Sequence, residues 1–393
     1  MPLRRCNIGE AGHQVCLRLS GGNPMIVSSA VLAAAPTGTQ TTTGSRRYLA
    51  LDAYRGFIML LLASEGFGFS MLKGDPTWGR VAGWFDHVPW EGLVFWDLIQ
   101  PAFMFMVGVA MPFALAVRTA RGASERDNFR HVLARSLRLT LLSQILISVG
   151  SGRIKLQMII VLSQIAFTYF LSYLIMQWKW RWQVVTAVGL LVFWMALLFA
   201  FPGPDGPYSK TGHVGLVVDR WIFHYDYDPA YSTLNFIAST VWTLTGVWTG
   251  QLLMGPLPSE VKLKRLAAGM ALAFAAGLLL GIWIPMIKQL CTPSFVLYSL
   301  GWVLLMLIGF YVVIEVLGYR RWTFPLVVFG ANSIFIYSFN MVLREWLDNA
   351  VGVFTFRYRG IGTLAPVAES VTVLAVLWSL CYWMYQRRIF VKV

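Results

Sequence analysis

Residues 93–117 read LVFWDLIQPAFMFMVGVAMPFALAV and carry a single charged side chain, Asp97. A helix needs about 20 mostly apolar residues to cross a hydrocarbon core of roughly 30 Å. The stretch is therefore predicted to span a membrane as an α-helix, with Asp97 near the start of the span. An ionisable side chain inside a bilayer is costly and commonly functional, so Asp97 is a candidate functional residue.

The composition of the whole chain agrees with a membrane protein. Of the 393 residues, 57% are hydrophobic and 13% are charged, whereas soluble domains carry roughly 25% charged residues. These proportions exclude a disordered chain, a secreted disulfide scaffold and an ordinary cytosolic enzyme. Because lipid offers the backbone no hydrogen-bond partners, we predict an all-α, polytopic membrane helix bundle of about ten transmembrane helices. The apolar runs are 50–71, 93–117, 132–149, 157–176, 183–201, 233–254, 266–287, 294–317, 324–343 and 365–386.

Basic residues are distributed unevenly between the loops. The chain has 32 Lys and Arg against 18 Asp and Glu, which gives a net charge of +14. With a cytoplasmic N-terminus, roughly two thirds of the Lys and Arg fall on inside segments, which is the positive-inside bias of membrane proteins. This bias predicts that both termini are cytoplasmic, and it explains the net charge without a nucleic-acid partner.

The first 45 residues differ from the rest of the chain. They are polar, and their apolar patch at 25–35 is too short to span a bilayer. We therefore predict a poorly ordered N-terminal tail over 1–45 and a transmembrane domain over 46–393. We expect no metal, because the cysteines match no metal-binding spacing. One group of ionisable residues in an outer loop stays open as a metal or acceptor site, although its spacing matches no metal motif. The group consists of His213, His224, Asp219, Asp226 and Asp228.

Three further ionisable residues lie in or beside the first apolar run, within RRYLALDAYRGFIMLLLASEGFGF at 46–69. Asp52 and Arg55 share a helix face, so they either form a neutralised pair or take part in a site. Glu65 either reaches the outer interface or faces a substrate. Asp97 either caps the positive end of its helix or faces a cavity and orients a catalytic group.

His87 lies ten residues before Asp97, in the outside segment WFDHVPWEG at 84–92. A histidine titrates near neutral pH and is the natural proton acceptor there. His87 is therefore a candidate general base, and Asp97 is a candidate partner for its imidazole ring.

Several short motifs occur in an order that resembles one known family. They are Leu51-Asp52-Ala53-Tyr54-Arg55-Gly56, His87-Val88-Pro89-Trp90-Glu91-Gly92-Leu93, Trp96-Asp97-Leu98, Gln164-Ile165-Ala166, Thr292-Pro293-Ser294-Phe295 and Gly330-Ala331-Asn332-Ser333-Ile334. Over roughly residues 46–388, this order resembles the membrane acyltransferases related to the lysosomal heparan-alpha-glucosaminide N-acetyltransferase. The chain looks like a bacterial-type homologue without that family's lumenal N-terminal domain, and Gln164 stands where the family usually has an arginine.

The resemblance implies that an acetyl group moves from cytosolic acetyl-CoA, a co-substrate, to an amino sugar or glycan on the extracytoplasmic side. His87 matches the family's essential histidine and would act as general base or as a transient acetyl carrier. Asp97 would orient or electrostatically support it. We assign Glu65, Trp90 and Glu91 to the acceptor.

The donor is assigned to residues nearer the cytoplasm. CoA carries phosphates, so its nucleotide end is expected at the positive inside face, where the loop from Arg118 to Arg138 holds six arginines. The donor residues we predict are Arg55, Arg135, Arg138, Gln164 and Asn332. Two alternatives stay open: the arginines only set the topology, and Asn332 mediates helix packing.

The sequence therefore predicts a transmembrane acyltransferase, with a multi-pass transporter or permease of a small polar solute as the alternative. Ten spans with an embedded Asp/Arg pair would also suit a transporter. A purely structural scaffold would leave the embedded charges unexplained. The predicted partners are the lipid bilayer, an acyl-CoA donor, an amino sugar or glycan acceptor and a second copy in a homodimer. The predicted location is the bacterial inner (cytoplasmic) membrane.

Overall fold

The computed structural model describes residues 48–224, 230–355, 360 and 362–391. Within these ranges the regular elements are all helical, and the only β-type pairings are two isolated bridges. The predicted all-α bundle is therefore confirmed. The predicted tail at 1–45 lies outside the described residues, and so do Asp226 and Asp228.

Fourteen α-helices make up the described part of the chain. They are α1 (Leu49–Ser64), α2 (Gly79–Trp84), α3 (Ile99–Ala120), α4 (Glu125–Ser151), α5 (Val161–Met176), α6 (Trp180–Ala200), α7 (Val214–Phe223), α8 (Phe236–Met254), α9 (Ser259–Gly281), α10 (Pro293–Tyr311), α11 (Phe324–Ala331), α12 (Ser333–Val342), α13 (Arg344–Thr355) and α14 (Ala365–Gln386). Short 3₁₀ turns lead into three of them, at Phe95–Leu98, Thr233–Asn235 and Arg321–Thr323, and another, Glu65–Leu72, follows α1. A π-turn at Val312–Val316 extends α10.

Seven helical segments in the described residues are long and apolar enough to cross a membrane, or eight if α11 and α12 form one span bent by 63°. The expected number was about ten, and α5 and α8 account for the difference. The α5 helix has 16 residues, which is short for a span. The α8 helix carries Ser239 and four threonines and is buried along most of its length, so it has little need of apolar surface for lipid.

The crossing of α3 and α8 brings two backbones into close contact. A Cβ atom added at Gly108 of α3 would lie 1.9 Å from the carbonyl oxygen of Thr243 in α8. Small residues permit such approaches, which drive helix association in membranes. Phe105 and Trp242 are fully buried on either side of the crossing. Because α3 continues directly from the turn that holds Asp97, this crossing fixes the position of that carboxylate along the helix axis.

A second close crossing joins α1 to α11. A Cβ atom at Gly56 of α1 would lie 1.8 Å from the carbonyl oxygen of Leu326. The crossing holds α11 against the early turns of α1, while α12 follows the later turns, where Asn340 donates to the carbonyl of Leu62 (3.4 Å). The bent pair therefore runs beside α1 along most of its length.

We predict that Gly108→Ala destabilises the protein by about 1–3 kcal/mol, because the added methyl group must push two packed backbones apart. Gly189→Ala in α6 is the matched control, since a Cβ atom there meets nothing within 4 Å. Thermal unfolding in detergent measures both variants. Equal melting temperatures would contradict the close crossing.

The predicted topology is testable at two exposed positions, Thr77 and Ala120. In a chain whose Cys6 and Cys16 are replaced by serine, a membrane-impermeant maleimide added to sealed cells should label Thr77→Cys but not Ala120→Cys. Both should be labelled after permeabilisation. Labelling of Ala120→Cys in sealed cells would reverse the orientation that the basic residues predict.

Candidate active site

The carboxylate of Asp97 lies in the 3₁₀ turn that starts the second candidate span, and its residue is only 1% exposed. One of its oxygens, Oδ2, accepts from the backbone N–H of Val94 (3.2 Å), which closes the start of the turn. This is the capping role that the sequence left open. The other oxygen, Oδ1, is held by two side chains from outside the turn, so capping is only part of what the residue does.

The first of those side chains is His87, whose Nδ1 lies 2.8 Å from Oδ1 of Asp97. The segment between α2 and the 3₁₀ turn folds back so that residues ten apart in sequence meet. Asp86 accepts from the backbone N–H of His87 (2.7 Å) and also pairs with Lys73. The His87 side chain is 52% exposed. With Nδ1 engaged by the carboxylate, Nε2 is the ring nitrogen left for a substrate.

The second side chain that holds Oδ1 is Lys288, which no motif in the sequence singled out from the other basic residues of the predicted outer loops. Its Nζ lies 3.0 Å from Oδ1 of Asp97 and 3.0 Å from Nδ1 of His87, and its side chain is 11% exposed. His87, Asp97 and Lys288 thus form a closed triangle of ionisable groups. The nearest sequence signal was the motif Thr292-Pro293-Ser294-Phe295, which begins four residues after the lysine.

The loop that carries Lys288 is fixed by hydrogen bonds. The N–H of Gly92 donates to Met286, beside an isolated bridge between Glu91 and Ile287, which ties the His87 segment to this loop. Two side chains from distant parts of the chain satisfy its carbonyls, since Asn235 donates to Gln289 (2.7 Å) and Trp194 to Leu290 (2.7 Å). Within the loop, Thr292 donates to the carbonyl of Pro285 (2.8 Å). Because buried carbonyls need donors, these contacts hold the backbone of the lysine loop in one conformation.

Burial is the main influence on the loop's ionisable groups. It lowers the pKa of Lys288 from 10.5, and the adjacent Asp97 carboxylate opposes that change. The ammonium form of the lysine therefore depends on the carboxylate. Burial also raises the pKa of Cys291 to about 12, so this cysteine stays a thiol and is not a nucleophile candidate.

The contacts of Nδ1 decide what His87 can do chemically. If Nδ1 carries the proton, it donates to Asp97 and leaves the lone pair of Nε2 ready to accept a proton. If Lys288 donates to Nδ1 instead, the ring proton is on Nε2 and the histidine is no base. Lys288 can donate to the Asp97 carboxylate, which lies as close to its Nζ (3.0 Å) as the histidine nitrogen does. With the proton on Nδ1, both His87 and Lys288 donate to Asp97, so the histidine, the lysine and the carboxylate are all satisfied.

An apolar cavity of about 280 Å³ opens beside the triangle, with His87 and Lys288 in its wall. Residues of α1 and α3 form part of its wall. Its other lining residues are Met59, Leu62, Trp96, Ile99, Gln100, Phe103, Ile159, Ile160, Val161, Tyr231 and Tyr337. A concave apolar pocket with a few convergent polar groups is the usual form of a small-molecule site.

The three predicted acceptor residues lie outside the hydrogen-bonded triangle, in the His87 segment and at the end of α1. Trp90 and Glu91 belong to the His87 segment, and the Nζ of Lys210 lies 5.2 Å from the Trp90 ring centroid. Glu65 ends α1 in a left-handed conformation (φ 46°), 3.8 Å from the buried guanidinium of Arg344. Arg344 also forms a bidentate pair with Asp348 (2.9 and 3.0 Å).

The five predicted donor residues are spread over separate parts of the structure. Arg135 donates to the Tyr169 hydroxyl (3.2 Å), Arg138 to the carbonyl of Ala134 (3.2 Å), and Gln164 to the carbonyls of Met158 and Thr233 (3.1 and 3.0 Å). Arg55 pairs with Asp52 (3.4 Å), and the buried Asn332 contacts Ile389 and Val391. Through its hydrogen bond to Met158, Gln164 holds the segment that leads into α5. Ile159 and Ile160 of this segment line the apolar cavity.

The outer-loop group around His213 forms structural hydrogen bonds. His213 caps α7 through Gly215 (3.2 Å), its Nε2 lies 3.1 Å from the carbonyl oxygen of Ala230, and burial lowers its pKa. Asp219 accepts from the N–H of Thr233 (2.8 Å), and burial raises its pKa. No group of three or more His, Cys, Asp or Glu in the described ranges is placed to hold a metal ion.

The fold and site together define an integral membrane protein with a histidine, carboxylate and lysine triangle beside an apolar cavity. No family model matches the chain. It is similar to the heparan-alpha-glucosaminide N-acetyltransferase of Mus musculus, 23% identical over 89% of this chain, and to that of Homo sapiens, 22% identical over 88%. The chain spans about 60% of the length of these relatives (61% and 60%). This similarity supports a distant family relationship and a transferase in general terms.

The buried charges should be energetically coupled. Asp97→Asn or Lys288→Met alone leaves one buried charge without its partner, so each should destabilise the protein by about 3–5 kcal/mol, and the double variant should lose much less than the sum. The more exposed pair of Asp52 and Arg55 is the control, with an expected coupling of about 0–1 kcal/mol. Unfolding in detergent measures both cycles, and additive losses at the buried pair would contradict the triangle.

Proposed function

We propose that this protein is a transmembrane acyltransferase that moves an acetyl group from cytosolic acetyl-CoA to the amine of an amino sugar or glycan on the extracytoplasmic side. The observation that carries the proposal is His87, held by the buried Asp97 at the wall of an apolar cavity. The distant similarity to two N-acetyltransferases supports the same reaction. Its location in a bacterial cytoplasmic membrane and its assembly as a homodimer belong to this proposal.

The proposed reaction is one acyl transfer. The amine nitrogen attacks the carbonyl carbon of the thioester, and His87 Nε2 takes the proton that the nitrogen loses. The tetrahedral intermediate then breaks its C–S bond, and the imidazolium returns the proton to the departing thiolate. The products are an N-acetyl amine and CoA with a free thiol. Asp97 holds the ring with Nε2 toward the cavity and stabilises the transient imidazolium.

Lys288 acts through its charge in this proposal. Its ammonium compensates the buried carboxylate and so keeps Asp97 in position for the histidine. It also lines the cavity in which the thioester carbonyl would lie. A fixed positive group beside a developing oxyanion is a strong source of transition-state stabilisation. A variant mechanism, in which His87 itself carries the acetyl group between the two substrates, uses the same three residues.

The acceptor enters from the outer end in this scheme. Trp90 lies three residues after His87, and a sugar ring can pack on its aromatic ring. Glu91 and Glu65 are exposed carboxylates at the same end, suited to bind hydroxyl or ammonium groups. In this scheme the carboxylates bind the acceptor, and Nε2 of His87 accepts the proton from its amine.

Replacement of His87 by alanine should reduce acetyl transfer by about 10²-fold or more, the usual scale for the loss of a general base. The protein should still fold, because the side chain is half exposed. Transfer of labelled acetyl from acetyl-CoA to glucosamine in proteoliposomes measures the effect. His13→Ala, in the predicted N-terminal tail, is the control. Near-normal transfer by correctly folded His87→Ala protein would refute the mechanism.

The bent pair α11 and α12 is the one observation that favours a transporter, because transporters use broken helices at the bilayer midplane. The break at Asn332, however, is filled by hydrogen bonds to residues 389–391. Uptake of labelled glucosamine into proteoliposomes without acetyl-CoA separates the two functions. Uptake that persists in His87→Ala protein would favour the transporter.

A further inference from the structure

An open cleft of about 630 Å³ lies in the turn that joins α3 to α4. Three arginines line it: Arg118 and Arg121 at the end of α3, and Arg130 in α4. The remaining lining residues are Gly122, Ala123, Asp127 and His131. By the distribution of basic residues in the sequence, this turn is predicted to lie at the cytoplasmic face of the membrane.

Hydrogen bonds hold the backbone of this turn in one conformation. The N–H groups of Gly122 and Ala123 donate to the carbonyls of Thr119 (2.9 Å) and Arg118 (3.1 Å), which closes the end of α3. The buried Asn128 then ties α4 to that end, because it accepts from Nε of Arg118 (3.1 Å) and donates to the Thr119 hydroxyl (3.2 Å). The guanidinium of Arg118 is therefore oriented by the protein itself.

The positive charge of the cleft is not neutralised by its own wall. Asp127 is the one carboxylate among the lining residues, and its Oδ2 accepts from the hydroxyl (2.7 Å) and the N–H (3.1 Å) of Ser124. Among the described residues, no carboxylate forms an ion pair with Arg118, Arg121 or Arg130. Guanidinium groups bind phosphate oxygens with two parallel hydrogen bonds, so the cleft suits a phosphate group.

An exposed apolar stripe on α4 begins beside this cleft. It consists of Leu137, Leu141 and Ile145, which follow Arg130 at helical spacing and share its face of the helix. From Arg130 to Leu141 the helix rises about 16 Å, comparable to half of a hydrocarbon core of roughly 30 Å. A ligand whose phosphate lies in the cleft therefore has an apolar surface beside it that matches an acyl chain in one leaflet.

From this arrangement we propose that the cleft binds the phosphate headgroup of an anionic phospholipid of the cytoplasmic leaflet, with an acyl chain against the apolar stripe of α4. Basic pockets between membrane helices on this side are the usual form of such sites. Topology alone needs charge anywhere in the loop and does not need three guanidinium groups around one cleft. A soluble nucleotide has phosphates too, but it gains nothing from a stripe that faces lipid. The lipid site requires neither His87 nor acetyl transfer.

Native mass spectrometry of the full-length protein in detergent measures the binding of phosphatidylglycerol, with phosphatidylcholine as the lipid of no net charge. Arg130→Gln should weaken phosphatidylglycerol binding at least about tenfold, because charge-assisted hydrogen bonds to the phosphate are lost. Arg126→Gln is the matched control: this arginine lies one helical turn earlier, is exposed and does not line the cleft. It should weaken binding by no more than about fivefold, the general attraction of one basic residue to anionic lipid. Equal losses in both variants, or equal binding of the two lipids by wild-type protein, would overturn the proposal.

Soluble phosphates distinguish a lipid from other ligands with the same chemistry. Glycerol 3-phosphate carries the phosphate of the lipid without its acyl chains, and adenosine 3′,5′-bisphosphate carries the phosphates of a nucleotide. At the concentration of the lipid, neither should displace phosphatidylglycerol from wild-type protein, because neither covers the apolar stripe. Displacement by glycerol 3-phosphate would assign the cleft to free phosphate, and displacement by the nucleotide would assign it to the acyl donor. Either result would overturn the lipid site.

Discussion

The ionic contact between Asp97 and Lys288 is the constraint on which the rest of this structure depends. A carboxylate that is 1% exposed near the end of a membrane helix needs compensating charge, and the lysine lies 191 residues away in sequence. Their pairing requires the loop before α10 to lie over the start of α3. That placement brings Lys288 against His87 and puts both side chains in the wall of the apolar cavity.

The helix packing serves this contact at a distance. The close crossing of α3 and α8 holds the helix that follows Asp97, and Asn235 at the start of α8 donates to the carbonyl of Gln289, next to Lys288. The same helix thus supports both charged partners, one through backbone contact and the other through a hydrogen bond. Since α8 is surrounded by other helices, it can carry Ser and Thr side chains at a depth where lipid would not tolerate them.

The sequence was sufficient for the parts of the site that are local. His87 and Asp97 are ten residues apart, and a short turn suffices to join them, so the pair could be predicted. Lys288 could not, because a lysine in an outer loop has the same local pattern whether it meets solvent or a buried carboxylate. The expected count of about ten spans exceeds the seven or eight candidates because α5 is short and because α8, which is covered by protein, carries Ser and Thr side chains. Asn332 was assigned to the donor or to helix packing, but the sequence did not indicate its partners, which lie 57 and 59 residues further along the chain.

The proposed acetyl transfer across a membrane sets a geometric problem, because the two ends of the donor differ in chemistry. The donor's phosphates cannot enter the hydrocarbon region without a large desolvation cost, whereas its thioester arm is largely uncharged. In the proposed reaction, the apolar cavity beside His87 suits that arm. Met59 of α1 lines this cavity, and Arg55 lies one helical turn before it on the same face. Arg55 is paired with Asp52 at 3.4 Å, so its charge is offset within α1 itself and not by the loops.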